Sequence, residues 1–459
     1  MTDLEMAISA LLGKQSTYAA LYNYYLGKQP LAYTSERLRE VFRRLDTRFS
    51  ENLCALVINS VGDKLTLKGI TVKGRADAQA QIDGIFGSVN LELIAEDVHE
   101  GTLVTGESYL IVWKDDVGKV QGFYNDPRMC HLFYDAENPY LTRYAAKMYA
   151  MDDGKVSLIL YYADHLEYYQ TRSKISATSD LTAKRFELTD EKANPYKAVP
   201  VFQFKLHRDV RSELADVIPL QDAANKLLSD MLVVAEFGAF RQRWVISNTD
   251  TTKLRNAPNE IWSIPAGDGV GQQTQIGDLA PTDLLGYLNA IDKLATAIGV
   301  ISRTPKHFLY GQGGDPSGEA LIASEAPLNR KAADYISRLT PTWRQALSFA
   351  LTLLGAPVEP SAITLQYERP ETIQPLTQSI VRQNGITAGI PLVTLLKREG
   401  WSDTELAEMD AEKAAESAAN RSMLALAMVK AQREFDQGQQ DQQVQQPGQP
   451  GQGAGNAGI

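Results

Sequence analysis

Residues 219–239, PLQDAANKLLSDMLVVAEFGA, place apolar side chains at Leu220, Ala224, Leu227, Leu228, Met231, Val234 and Phe237. Spacings of three and four put them on one stripe of an α-helix. A second stripe, Leu284, Leu285, Leu288, Ile291, Leu294, Ala295 and Ile298, predicts a helix over 283–298. The stretch between them turns often and carries Trp244 and Trp262, which predicts a small β-rich tip held between two helices. A longer stripe follows at Leu321, Leu328, Ala332, Tyr335, Leu339, Trp343, Leu347, Ala350 and Leu354. Pro327 and Pro341 lie inside it, and each removes a backbone donor, so kinks or a division are expected there.

The pattern upstream is different. MTDLEMAISALLGKQ reads as an amphipathic helix and not as a signal peptide, and the tyrosine-rich YAALYNYYLGKQPLAY after it breaks at Gly27 and Pro30. No Lys/Arg interleaving accompanies these tyrosines, so packing explains them better than base stacking. DKLTLKGITV (63–72) alternates with strand period, residues 78–106 are helical, and ESYLIVWKDDVGKVQGFYND reads as a hairpin with strands 109–113 and 119–124. RYAAKMYAM, KVSLILYYA, HLEYYQT and VPVFQF add further strands. Residues 60–206 are therefore expected to be α+β with a mostly antiparallel sheet. AITLQYERP returns as a strand, and 371–435 is helical with breaks at 384–391 and Gly400. The Gln/Gly-rich end has too little apolar surface to offset chain entropy and is expected to be disordered.

At 459 residues the chain exceeds one ordinary core. Its formal charge of −10, from 46 Lys+Arg against 56 Asp+Glu, argues against tight nonspecific clamping of DNA but not against DNA sliding past. Cys54 and Cys130 are too few for a disulfide framework and lack zinc spacing. No run of about 18 apolar residues suggests a membrane helix. The five histidines, His99, His131, His165, His207 and His307, are mutually isolated, and no H-E-x-x-H, C-x-x-C or G-x-S-x-G occurs. No catalytic residue, metal site or cofactor is expected. GQGGDPSGEAL raises the question of a phosphate loop, but Gly311, Gly313 and Gly314 are followed by Asp315, Pro316, Ser317 and Gly318 with no lysine. A mobile loop ending in a well-capped helix is the simpler reading.

The order of parts resembles the portal (head-to-tail connector) proteins of tailed bacteriophages, of the siphophage type. The cues are LYNYYLGKQPLAY, LVINSVGDKLTLKGITV, VPVFQFK leading into RSELADVIPLQDAANKLLSDMLVVAEFGAFRQRWV, and TPKHFLYGQGGDPSGEAL, which occur in that family's order over nearly the whole chain. The resemblance implies an α+β portal fold that forms a ring of about twelve subunits. It implies a wing (1–215), a first stem helix (216–240), a clip (241–281), a second stem helix (282–301) and a tunnel loop (302–316). A long kinked helix with a returning wing strand (317–370), a helical crown (371–437) and a disordered tail (438–459) complete the anatomy.

By the same resemblance Arg303, Lys306, His307, Gly311, Gly313 and Gly314 would face a DNA channel. Arg241, Arg243, Lys253, Arg255 and Trp262 would dock partners at the clip, and Leu227, Met231, Val234, Leu288, Ile291 and Leu294 would meet neighbouring subunits. The implied partners are the large terminase subunit, a head-completion adaptor, scaffolding and major capsid proteins, and double-stranded DNA conducted without sequence specificity. No membrane is implied; the place is the portal vertex of the virion, and the host cytoplasm during assembly. Two other readings stand beside this one: a non-conducting structural ring or adaptor, and a nucleotide-dependent enzyme using the Gly311 loop.

Overall fold

In the computed structural model, residues 1–30, 50–88, 90–115, 117–175, 181–239, 243–246, 275–278, 283–309, 318–369, 375–401 and 403–444 are described. They form two units, Met1–Val381 and Arg382–Ile459.

The strands of the first unit begin with β1 (Leu67–Val72), β2 (Glu107–Lys114) and β3 (Val120–Asn125). A meander follows: β4 (Cys130–Tyr134), β5 (Thr142–Ala150), β6 (Val156–Tyr161), β7 (His165–Thr171) and β8 (Phe186–Ala193). These last five pair in sequence order, each antiparallel to the next. β9 (Val201–Lys205) joins the other edge of β2 to give a three-stranded sheet, β3-β2-β9.

Side-chain alternation then builds layers. On one face of the five-stranded sheet Tyr144, Ala146, Met148, Leu158 and Leu160 pack on Ala7, Ile8 and Leu11 of helix α1 (Asp3–Tyr25). On the other face Leu132, Ala145, Ile159 and Leu166 pack on Tyr109 and Ile111 of β2. The far side of β2, Leu110 and Val112, enters the largest core with helices α2 (Leu53–Gly62), α3 (Ala76–Ser88) and α4 (Leu91–Thr105). Gly106 ends α4 at φ +93, and a Cβ there would come within 2.6 Å of the Arg211 backbone, so glycine is required on both counts.

Several expectations shift. The single sheet resolves into separate five- and three-stranded sheets, and β1 pairs antiparallel with β12 (Ile363–Tyr367). The helix over 78–106 is two, α3 and α4, parted at Asn90 with φ 49. β8 escapes the alternation test because every residue after Phe186 is exposed; its ladder with β7 holds it. The long stripe forms one unbroken helix, Gly318–Leu353, across both Pro327 and Pro341. Its side chains at Leu328, Ala332, Leu339, Trp343 and Leu347 are at most 3% exposed, and burial on that scale offsets two missing backbone bonds.

Helix α9 (Pro375–Thr387) is followed by α10 (Leu392–Arg398), which in the second unit buries Leu395 and Leu396, and the Arg382 guanidinium grips Glu399 through Nε at 2.9 Å. Helix α11 (Asp403–Val444) exposes Met423, Leu424, Leu426, Met428 and Val429.

One polar cluster sits where three layers meet. Glu107, 2% exposed, accepts at Oε1 from Lys14 Nζ (2.8 Å) and Tyr18 Oη (2.7 Å). At Oε2 it accepts from Tyr109 Oη (2.7 Å) and Gln203 Nε2 (2.5 Å). Lys14 also donates to the Cys130 carbonyl (3.1 Å) and lies 3.0 Å from His131 Nδ1. Burial opposes ionisation of Glu107, but the ammonium and the donated bonds hold its pKa below the ordinary value. The cluster ties α1 to β2, β4 and β9. Replacing Lys14 by Met should cost about 3–5 kcal/mol in denaturant unfolding, because a buried carboxylate loses its counter-charge; a loss within about 1 kcal/mol would show that the pair is dispensable.

A second buried group makes stability depend on pH. His99 Nε2 accepts from the Trp343 indole N–H at 3.0 Å, and burial pushes its pKa down to about 4. The unfolded chain binds that proton near pH 6.5, so the folded state is fully favoured above 6.5 and loses stability as pH falls from 6.5 to 4. The loss attached to His99 is roughly 3 kcal/mol. His131, likewise held down to about 4 by burial, titrates in the same window, so His99→Gln should reduce the slope of unfolding free energy there by about half; an unchanged slope would assign the loss elsewhere.

Candidate assembly and channel surfaces

Helices α5 (Ile218–Ala239) and α6 (Leu285–Ser302) pack along each other. Between them in sequence lies an antiparallel hairpin, β10 (Arg243–Ile246) with β11 (Gln275–Asp278). Gly277 sits opposite Trp244, and a Cβ there would fall 2.5 Å from the indole. Helix, β tip, helix is the order the apolar spacing predicts.

The inward stripe of this pair is Ala224, Leu228, Ile291, Ala295 and Ile298. Among the expected interface positions, Ile291 is 5% exposed and is spent within the chain itself, packed against its own neighbours. Leu227, Met231, Val234 and Leu294 are half-buried. Leu288 is 49% exposed, and it is accompanied by Leu285 at 62%, Val300 at 75% and Ile301 at 51%. The outward apolar surface of α6 thus lies partly at Val300 and Ile301, which the stripe does not reach because the helix runs past 298 to Ser302.

The end of α6 is tightly specified. Arg303 adopts the left-handed conformation, φ 60, and the Thr304 N–H returns to the Gly299 carbonyl at 2.9 Å. A Cβ on Gly299 would lie 2.8 Å from Leu309 Cδ1 and 3.0 Å from the Thr304 carbonyl oxygen. Lys331 Nζ, on helix α8 (Gly318–Leu353), donates to the Ser302 carbonyl at 2.9 Å and pairs with Glu213, to which Tyr335 also donates. Beside this knot lies a polar cavity of about 360 Å³ whose walls include His207, Arg211, Arg303, Asp334 and Arg338.

The three expected channel cations therefore differ. Lys306, on the short helix α7 (Lys306–Leu309), faces Asp292 at 3.4 Å. His307 faces Glu325 at 3.7 Å, which Lys64 also approaches at 3.5 Å. Arg303 makes no ion pair among the described residues and stands exposed at the cavity rim. Arg243 opens β10, whereas Gly311, Gly313, Gly314, Arg241, Lys253, Arg255 and Trp262 lie outside the described residues.

Sequence reasoning passed over the Glu107 and Glu213 clusters. The signal was available for the first: a glutamate opening the apolar run ESYLIVW demands a partner, and Lys14 follows the apolar stripe of the N-terminal helix. Glu213 gives no such signal, since it sits in a polar loop, RSELAD. Among the described residues no group of three His, Cys, Asp or Glu side chains is placed to hold a metal, and no helix is long and apolar enough to cross a membrane.

The described residues thus form a layered antiparallel body, two helices bracketing a β tip, and a long buried helix. The family described as phage portal protein, SPP1 Gp6-like, matches residues 13–419, and the chain belongs to that family. No curated protein matches it. Among solved structures, one titled as the neck of a native GTA particle computed with C12 symmetry is 12% identical over 73% of this chain and 86% of that one, with TM-score 0.44. The neck of an empty GTA particle computed with C6 symmetry gives 12% identity, 73% and 84% coverage and TM-score 0.42. A chain from the virion of a native gene transfer agent (GTA) particle gives 12% identity, 83% and 94% coverage and TM-score 0.43.

Proposed function

We propose that copies of this chain close into a ring at one vertex of a phage-like head, nucleate head assembly and conduct double-stranded DNA during packaging and ejection. The β tip between α5 and α6 is the clip that docks the large terminase subunit and then the head-completion adaptor; ATP hydrolysis belongs to the terminase. Scaffolding and major capsid proteins are the remaining partners, and the chain resides in the virion after assembly in the host cytoplasm.

The observation that carries the ring is the outward face of α6. Four large aliphatic side chains, Leu285, Leu288, Val300 and Ile301, are each about half or more exposed in a single copy. Neighbouring subunits would bury them, and a heterologous contact that closes repeats the same burial around the ring. The channel reading draws on two features. A net charge of −10 favours free passage, because a wall that held phosphates tightly would impose friction. Arg303, fixed by its left-handed cap, is suited to brief backbone contacts, and the Gly311 loop that follows it would line the bore.

Replacing Leu285 and Leu288 together by Glu tests the ring. The double variant should run as a monomer with its far-ultraviolet dichroism unchanged, because both side chains are exposed before assembly and the charges oppose only the association. Rings that persist in electron micrographs of that variant would remove α6 from the interface.

A further inference from the structure

The five- and three-stranded sheets meet over Tyr109, Ile111, Ala145, Ile159 and Leu166, but their contact does not close at the β3 edge. There Ile111, Trp113 and Phe123 look across at Lys147, Tyr161 and Tyr168 and leave a largely apolar slot of about 250 Å³. Phe123 stands at its mouth, 47% exposed. The Lys147 ammonium lies among these side chains, and burial lowers its pKa.

The same layer carries a projection with the complementary properties. The turn between β4 and β5 holds Tyr140 93% exposed and Leu141 58% exposed. It is nevertheless stiff. Asp135 Oδ1 accepts from the backbone N–H groups of Glu137 and Asn138, both at 2.9 Å, and Asn138 Oδ1 accepts from the Tyr140 N–H at 3.1 Å. The Asp135 N–H reaches the Leu141 carbonyl at 2.8 Å, the Leu141 N–H reaches the Asn138 carbonyl at 2.9 Å, and Pro139 fixes one φ. A turn tied in this way holds an aromatic ring in water with little entropy left to lose on docking.

Charge also matches. Asp135 and Glu137 make the turn acidic, whereas the slot holds Lys147, and Lys192, opposite Leu166 in the β7–β8 ladder, shares its face of the sheet. One chain does not satisfy itself. Thr142 and Lys147 belong to the same extended strand and lie about 17 Å apart, with Tyr140 beyond Thr142.

We infer that Tyr140 of one copy seats in the Ile111–Trp113–Phe123–Tyr168 slot of the adjacent copy. The ring fills the apolar space, its hydroxyl meets the Lys147 ammonium, and the acidic turn lies over the lysine side of the rim. The contact is heterologous, a knob on one surface and a slot on another, so it repeats around a closed ring and adds a peripheral lock to the α6 contact. It rests on the ring proposed above and assigns a second, separate interface within it.

The test uses the full chain with Tyr140→Cys and Lys147→Cys together, treated with a short bismaleimide. Cys54 and Cys130 are 0% exposed and stay out of the reaction. The double variant should give a ladder of covalent multimers on a denaturing gel, and neither single variant should. Rings visible by electron microscopy without that ladder would overturn the contact and leave the ring standing. Absence of rings from the unmodified chain would remove the ring reading and the contact together. In parallel, Tyr140→Ala should raise the protein concentration for half-assembly by at least about tenfold while the thermal midpoint of the unassembled chain stays the same. An unchanged assembly concentration would also overturn the assignment.

Discussion

Everything in the α+β body hangs on one buried carboxylate. Glu107 accepts four hydrogen bonds, from α1, β2 and β9, while its Lys14 partner reaches on to β4. A carboxylate 2% exposed is tolerable only with such complete satisfaction, and the geometry that satisfies it admits one arrangement of the helix and the two sheets. An apolar plug would hold the layers together without fixing their register. The charged cluster makes a slipped register leave ions unpaired in the core, so it specifies where the helix and strands stand relative to one another.

That fixed body gives the long helix α8 its bed. Trp343 packs on Phe204, donates to His99 and is itself fully buried, so α8 is registered against both the sheet and α4. Lys331 and Tyr335, on the same helix, converge on Glu213, and Lys331 caps the last turn of α6 at Ser302. The left-handed Arg303 is thereby positioned by residues far away in sequence. The body and the two-helix projection are coupled through this knot.

Much of this was legible in the sequence where burial is periodic. The helices 218–239 and 285–302 follow from apolar residues every three or four positions, and β5, β6 and β7 follow from short runs rich in aliphatic and aromatic residues. β8 was not legible, because an edge strand that exposes nearly every side chain is specified by backbone pairing alone. Pro327 and Pro341 misled in the other direction: local propensity argues for a break, and the buried stripe from Leu328 to Leu351 overrules it. Of the expected interface positions on α6, Ile291 is used by the chain itself, while exposed Val300 and Ile301 lie beyond 298, where the predicted helix stops. The carboxylate neighbours of Lys306 and His307 were equally hidden, since Asp292 and Glu325 come to them only through tertiary packing.

The central claim is that single copies are incomplete and close into a channel-bearing ring. It is tested most directly by the mass and shape of the purified chain in solution, from native mass spectrometry and electron micrographs of the same sample. The account predicts a particle of about twelve copies of the 50.6 kDa chain with an open centre. A compact monomer that persists at the highest attainable concentration, with its α6 surface still exposed to solvent probes, would contradict it.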